Sequence, residues 1–196
     1  MNYLRHWWWM WAMHGLLVWV MYQYFFFGNE KWFRQAYTAL GLSREMNYAA
    51  WWSGICLFFA AIIYLKIARV YAAAPGRQHL TWFILGAFSI ALSMDEIGSI
   101  HETVAQHGGW QALAPFVMVF GGAFLYGVSR LLTTPDMRFP GIMILVSVLI
   151  FAGVAGLEFV EHNFEFDGAG QRIRLITEEG IELFAIGLMV SAGILA

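Results

Sequence analysis

Eight carboxylates and two histidines stand in three short stretches of an otherwise apolar chain: Ser93-Met-Asp-Glu-Ile-Gly-Ser-Ile-His-Glu102, Leu157-Glu-Phe-Val-Glu-His162 and Glu178-Glu-Gly-Ile-Glu182. Each stretch lies at one end of a long apolar run. A carboxylate inside a bilayer costs a few kcal/mol or more, so ionisable residues there mark functional sites by default. Helical spacing groups them further. Glu158 and His162 are four residues apart, and Glu158 and Glu161 three, so all three can share a face. Glu178 and Glu182 are related in the same way, as are Glu179 and Glu182. Asp95 and Glu102, seven apart, share a face with His101 beside it, while Glu96 points about 100° away from Asp95.

Carboxylates crowded at one depth repel each other and cannot all ionise. Protonation, cationic partners or a metal would relieve the repulsion. No Lys or Arg falls within the three stretches, although Arg172 and Arg174 can reach in from a neighbouring connection. A divalent ion neutralises two carboxylates and also accepts imidazole. Carboxylate and imidazole donors without thiols suit iron, manganese or zinc. The expected ligands are Asp95, His101, Glu102, Glu158, His162, Glu178 and Glu182, more than one ion needs, so two ions are expected. Glu96, Glu161 and Glu179 then orient imidazoles or hold a proton.

The elements that must position these groups are membrane spans. The chain has 196 residues, 60% hydrophobic and 12% charged. A soluble domain carries about twice that charged fraction. The expected fold is all-α, one polytopic transmembrane bundle of six helices over roughly 4–27, 49–73, 80–104, 113–132, 140–162 and 175–196. The basic, apolar start is too long and too aromatic for a signal peptide and is expected to remain as the first span. Apolar residues at helical spacing within 31–41 suggest a short interfacial helix, with an ordinary loop as the alternative. Pro75-Gly76, His107-Gly108-Gly109 and Thr133-Thr-Pro-Asp136 punctuate the runs. Residues 163–174 read as a polar loop in which Glu165 and Asp167 are solvated. Gly121, Gly122 and Gly127 suggest close helix packing.

Six spans put both termini on one side of the bilayer. That side holds six Lys/Arg residues and the other five, which favours cytoplasmic termini in a bacterial inner membrane and a metal site toward the outer face. The third and fifth spans run away from the termini side and carry their acids at the far end. The sixth starts at that far end with its own. Parity alone therefore brings all three stretches to one side. The lone Cys56 excludes an intramolecular disulfide and any Cys-based metal or haem-attachment motif, and reads as a small core residue. His14, near the middle of the first span, reads as a helix–helix hydrogen bond rather than a ligand. A net charge of -2 with no basic tail gives no sign of a nucleic-acid partner. The expected partners are the lipid bilayer and further membrane subunits.

The ligand set resembles, in chemistry only, the di-metal carboxylate sites of ferritin-like proteins, which combine single Glu ligands with Glu-x-x-His motifs. Here Glu158-x-x-x-His162 and adjacent His101-Glu102 stand instead, so neither fold nor residue roles carry over. Asp95-Glu96 with His101-Glu102 is also similar to motifs in uncharacterised bacterial multipass membrane proteins. That resemblance covers the third span alone and implies no activity. Several functions remain open. A metal-dependent oxidoreductase is favoured slightly over a metallohydrolase using one carboxylate as general base. An accessory metal subunit of a larger membrane complex is a third form. A proton or cation pathway would also use intramembrane acids, but none continues the path through the other half. Haem held by His101 and His162 is disfavoured by the surrounding acids. A water-exposed mouth with the helix ends drawn too long explains Glu178 and Glu179, whose charge suits a helix N-terminus, but not Asp95 or Glu158.

Overall fold

A computed structural model describes residues 7–27, 48–73, 77–163 and 168–196. All regular structure among them is helical. In chain order the helices are α1 (Trp8–Phe27), α2 (Tyr48–Tyr71), α3 (Gln78–Gly98), α4 (Ile100–Gly108), α5 (Ala114–Leu132), α6 (Arg138–Asn163) and α7 (Gly168–Leu195), with 3-10 turns at Trp110–Leu113 and Pro135–Met137. Six of the seven are long and correspond in order to the six apolar runs. Four stretches are long and apolar enough to cross a membrane by length and composition: Ala49–Tyr71, Gln78–Gly98, Gln111–Leu132 and Pro135–Val154. The expected interfacial helix at 31–41 lies outside the described residues, as do Glu165 and Asp167.

The helices close into a ring. α7 packs on α2 and α6, α2 on α3, α3 on α5, and α5 on α6, while α1 lies outside against α7. Tyr64, Trp82, Phe124, Ile144 and Ile186, each under 2% exposed, belong to the larger buried cluster, and Leu17, Met21, Ala49 and Leu183 form a second. The outward faces are also apolar. On α5, Phe116, Val117 and Met118 are 59–71% exposed. Such a surface fits hydrocarbon better than water.

Apolar side chains gain little from packing on each other when lipid is the alternative. Close backbone approach and interhelical hydrogen bonds then hold the bundle, each bond contributing on average about 0.6 kcal/mol. Three such bonds run from hydroxyls to backbone carbonyls. Ser93 Oγ donates to Gly54 O at 2.7 Å, Tyr64 Oη to Met189 O at 2.6 Å, and Ser147 Oγ to Ala185 O at 2.9 Å. They set the register of α3, α7 and α6. Gly54 faces Ile97 and the carbonyl of Ser93 so closely that a Cβ there would sit 2.5 Å from Ile97 Cγ1 and 3.2 Å from Ser93 O. A Cβ at Gly127 would lie 3.6 Å from Leu85 of α3, whereas one at Gly121 or Gly122 would meet nothing within 4 Å among the described residues. The expected close packing therefore holds for Gly127 alone.

Two boundaries differ from the sequence expectation. The third run is interrupted at Ser99, whose φ of 46° and ψ of 46° are left-handed. It continues as α4 only after that break. The last helix starts at Gly168, so residues 168–174 are helical rather than loop. Arg174 pairs with Glu178 one turn on, and Thr177 Oγ1 donates to Ile173 O at 2.7 Å. These contacts between residues four apart satisfy polar groups within the helix and let it extend past its apolar portion.

Gly54→Ala should lower stability in detergent by about 1–3 kcal/mol, since the methyl must displace Ile97 or part α2 from α3. Gly121→Ala should stay within about 0.5 kcal/mol of wild type. Thermal unfolding followed by circular dichroism compares the two; equal midpoints for both variants would refute the close approach at Gly54.

Candidate functional site

The end of α3 is the best-defined part of the site. Asp95 lies in its last turn and turns its carboxylate toward α4. Its Oδ1 accepts from the backbone N–H of His101 at 2.8 Å, and its Oδ2 lies 2.9 Å from His101 Nδ1. The cause is local. The first backbone N–H groups of α4 have no partner inside the helix. Ser99 as N-cap residue uses its carbonyl to accept from Thr103 N–H and Thr103 Oγ1. Asp95 reaches across the break to satisfy the next orphan donor, a task an N-cap side chain would otherwise perform. The cap compensates for the left-handed backbone at Ser99, which costs a non-glycine residue about 1–2 kcal/mol.

The same carboxylate orients the imidazole. An ionised Asp95 only accepts, so Nδ1 carries the proton that faces it and a neutral ring holds its lone pair at Nε2. The two side chains are 31% and 33% exposed, so both stand at a partly solvated surface. Asp95 is therefore half-buried, not sealed in the core.

Register places the other groups. With Ser93 bonded to Gly54, antiparallel α2 and α3 bring Asp95 level with Trp52. α2 and α7 run parallel, with Gly193 against Ile63 and Tyr64, and this puts Trp52 near the level of Gly180. Gly180, between Glu178 and Glu182, packs on Val18 of α1. Asp95, Glu178, Glu179 and Glu182 thus occupy one layer, and all of these side chains are half-buried. On α6 the Ser147–Ala185 bond sets Glu158 level with Arg174 and His162 level with Gly170. Glu158 is six residues further out than Gly180, about 9 Å at 1.5 Å per residue. The three stretches share one end of the bundle but stand at two levels.

Charge compensation differs between the levels. Arg174 Nη1 donates to Glu178 Oε2, with side chains 10% and 13% exposed. A guanidinium therefore already engages one of the expected ligands. The sequence leaves this pairing open, because residues 163–174 read as a loop. The side chains of Glu102, Glu158, Glu161 and His162 lie outside the described set, although their backbones lie in α4 and α6. Among the described residues no three His, Cys, Asp or Glu side chains group closely enough to hold a metal ion.

A further polar contact lies on the inner side of the acidic layer. His14 Nε2 stands 4.0 Å from Cys56 Sγ, both residues buried. From sequence His14 reads as a helix–helix contact and Cys56 as core, and nothing in the spacing links residues 42 apart.

The family model described as Domain of unknown function (DUF8692) matches residues 28–195, and the chain belongs to that family. No curated protein and no solved structure matches it.

Asp95→Ala should destabilise the protein by about 0.5–2 kcal/mol through loss of the α4 cap. Asp95→Asn, which keeps an oxygen acceptor for the His101 amide, should lose less. Thermal midpoints unchanged in Asp95→Ala would contradict the cap.

Proposed function

We propose that the chain is an integral membrane metal-binding protein, six-span with both termini on the cytoplasmic side, whose carboxylate and histidine site lies near the outer face of a bacterial inner membrane. Four crossing-competent stretches support the membrane setting. α1, with 20 residues and no Asp, Glu, Lys or Arg, and the apolar C-terminal part of α7 supply the remaining two spans.

The observation that carries the metal assignment is the Asp95–His101 pair. Metal-bound imidazoles commonly donate their other ring N–H to a carboxylate, which fixes the tautomer and raises ligand basicity. Asp95 then orients His101 rather than binding metal itself. His101 Nε2, Glu102 and Glu182 supply donors near the level of Asp95, and Glu158 and His162 supply them at the outer level, with Glu96, Glu161 and Glu179 supporting them. Their oxygen and nitrogen chemistry suits one or two iron, manganese or zinc ions. An oxidoreductase role is preferred to hydrolysis, since the mixed carboxylate and imidazole set matches the ligands of redox-active iron.

The Arg174–Glu178 pair favours a second function. A buried guanidinium removes part of the carboxylate repulsion without a metal, as a proton or cation pathway or an accessory subunit would require. Metal analysis separates the two. Protein purified without chelators should carry stoichiometric iron, manganese or zinc by mass spectrometry, and His101→Ala and Glu182→Gln should each lose most of it. Asp95→Asn should weaken binding by about 10–100-fold, the usual cost of losing an orienting partner. Metal-free wild type with the fold intact would transfer the assignment to the ion-pair function. Cysteine labelling at Asn2 and Ala196 tests the topology, and labels on opposite faces would overturn the six-span arrangement.

A further inference from the structure

Among the described residues only Ser99 and Gly109 have positive φ, at 46° and 69°, and they stand at the two ends of α4. Glycine adopts positive φ freely, whereas a non-glycine residue there is disfavoured about tenfold. A Cβ at Gly109 would meet nothing within 4 Å among the described residues. Both ends of α4 therefore sit outside the helical backbone pattern, at the kind of element-terminal position that absorbs a hinge motion.

Between these points α4 holds together on its own. Thr103 N–H and Thr103 Oγ1 donate to Ser99 O at 3.1 and 3.0 Å, and His107 Nδ1 lies 2.8 Å from Thr103 O. Its neighbours are the turn at Trp110–Leu113 and the end of α3, and no other long helix makes comparable contact with it among the described residues. Ile100, Thr103 and His107 are all exposed. A segment with few buried apolar contacts opens at lower cost than the core. Across the break two contacts oppose opening, one from His101 N–H to Asp95 Oδ1 and one between His101 Nδ1 and Asp95 Oδ2.

We propose that α4 is a hinged strap at the end of the bundle that carries the acidic layer. Asp95 latches it in the position seen here, and loss of both Asp95 contacts lets it swing as a unit about Ser99 and Gly109. Charge-assisted contacts favour the latched position, and the positive φ at Ser99 works against it. The latch is partly solvated, so water replaces both contacts on release. The swing takes His101 away from the layer that Asp95 shares with Glu178, Glu179 and Glu182. The strap thereby governs whether the imidazole and those carboxylates can meet one ion. That consequence rests on the proposed metal site, whereas the swing itself does not.

The test is amide hydrogen exchange on the full chain in detergent after chelator treatment, so its outcome is independent of metal content and failure of the strap is distinguishable from failure of the metal site. Asp95→Ala should speed exchange of residues 100–108 about tenfold more than that of residues 82–93 within α3. Ser99→Gly, which removes the cost of positive φ in the latched position, should slow residues 100–108 several-fold. Equal acceleration of both segments in Asp95→Ala, or no slowing in Ser99→Gly, would overturn the strap. Spin labels at Thr103 and Leu125, both exposed, give a second readout. A single narrow distance in wild type should gain a second, separate population in Asp95→Ala. The same single distance in both proteins would make α4 a fixed extension of α3 and overturn the proposal.

Discussion

Helix register, locked by hydroxyl-to-carbonyl bonds at points of close backbone approach, is the constraint on which the rest of the molecule depends. In an apolar solvent the driving force that aligns amphipathic helices in water is absent, and a helix is free to slide along its neighbour. Ser93 to Gly54, Tyr64 to Met189 and Ser147 to Ala185 remove that freedom at three interfaces. A slip of one turn would carry Asp95 about 5.4 Å from the level of Glu178 and Glu182. Gly54 matters for the same reason, since it admits the carbonyl of Ser93 and Ile97 together.

Much of this was legible in the sequence, and the failures have physical causes. The six long helices follow the apolar runs because a helix long enough to span must be apolar along its length. Convergence of the acidic stretches at one end followed from counting spans. The break at Ser99 was not legible. It depends on Asp95 taking the His101 amide away from the helical pattern, and a side chain competing with the backbone leaves no trace in hydrophobic periodicity. The helical start at Gly168 was hidden for a related reason. Residues 168–174 are polar and glycine-containing, which reads as loop until Arg174 is seen to stack on Glu178 one turn later. Depth was overestimated in its uniformity, because parity brings Glu158 to the same end as Asp95 without fixing its level.

Asp95 shows why a candidate ligand read from sequence can take another role in the fold. A carboxylate in the last turn of a helix has two oxygens to use, and here one meets a backbone N–H and the other an imidazole. Both are charge-assisted contacts, stronger than neutral ones. A carboxylate committed in this way positions His101 and caps α4 at once. Any ligand binding to His101 is then coupled to the stability of the break, since displacing Asp95 would expose the α4 amide as well as release the ring.

The two polar places near this end of the bundle follow opposite electrostatic rules. At the acidic layer the Arg174 guanidinium pairs with Glu178, near Asp95, Glu179 and Glu182. That layer is half-buried, so water moderates the repulsion between its carboxylates. Cys56 and His14 are buried, and no Asp, Glu, Lys or Arg among the described residues is buried to the same degree. The acidic layer and the buried pair are about one helical turn apart. The short separation is workable because they differ in exposure, and exposure decides how much charge each can hold.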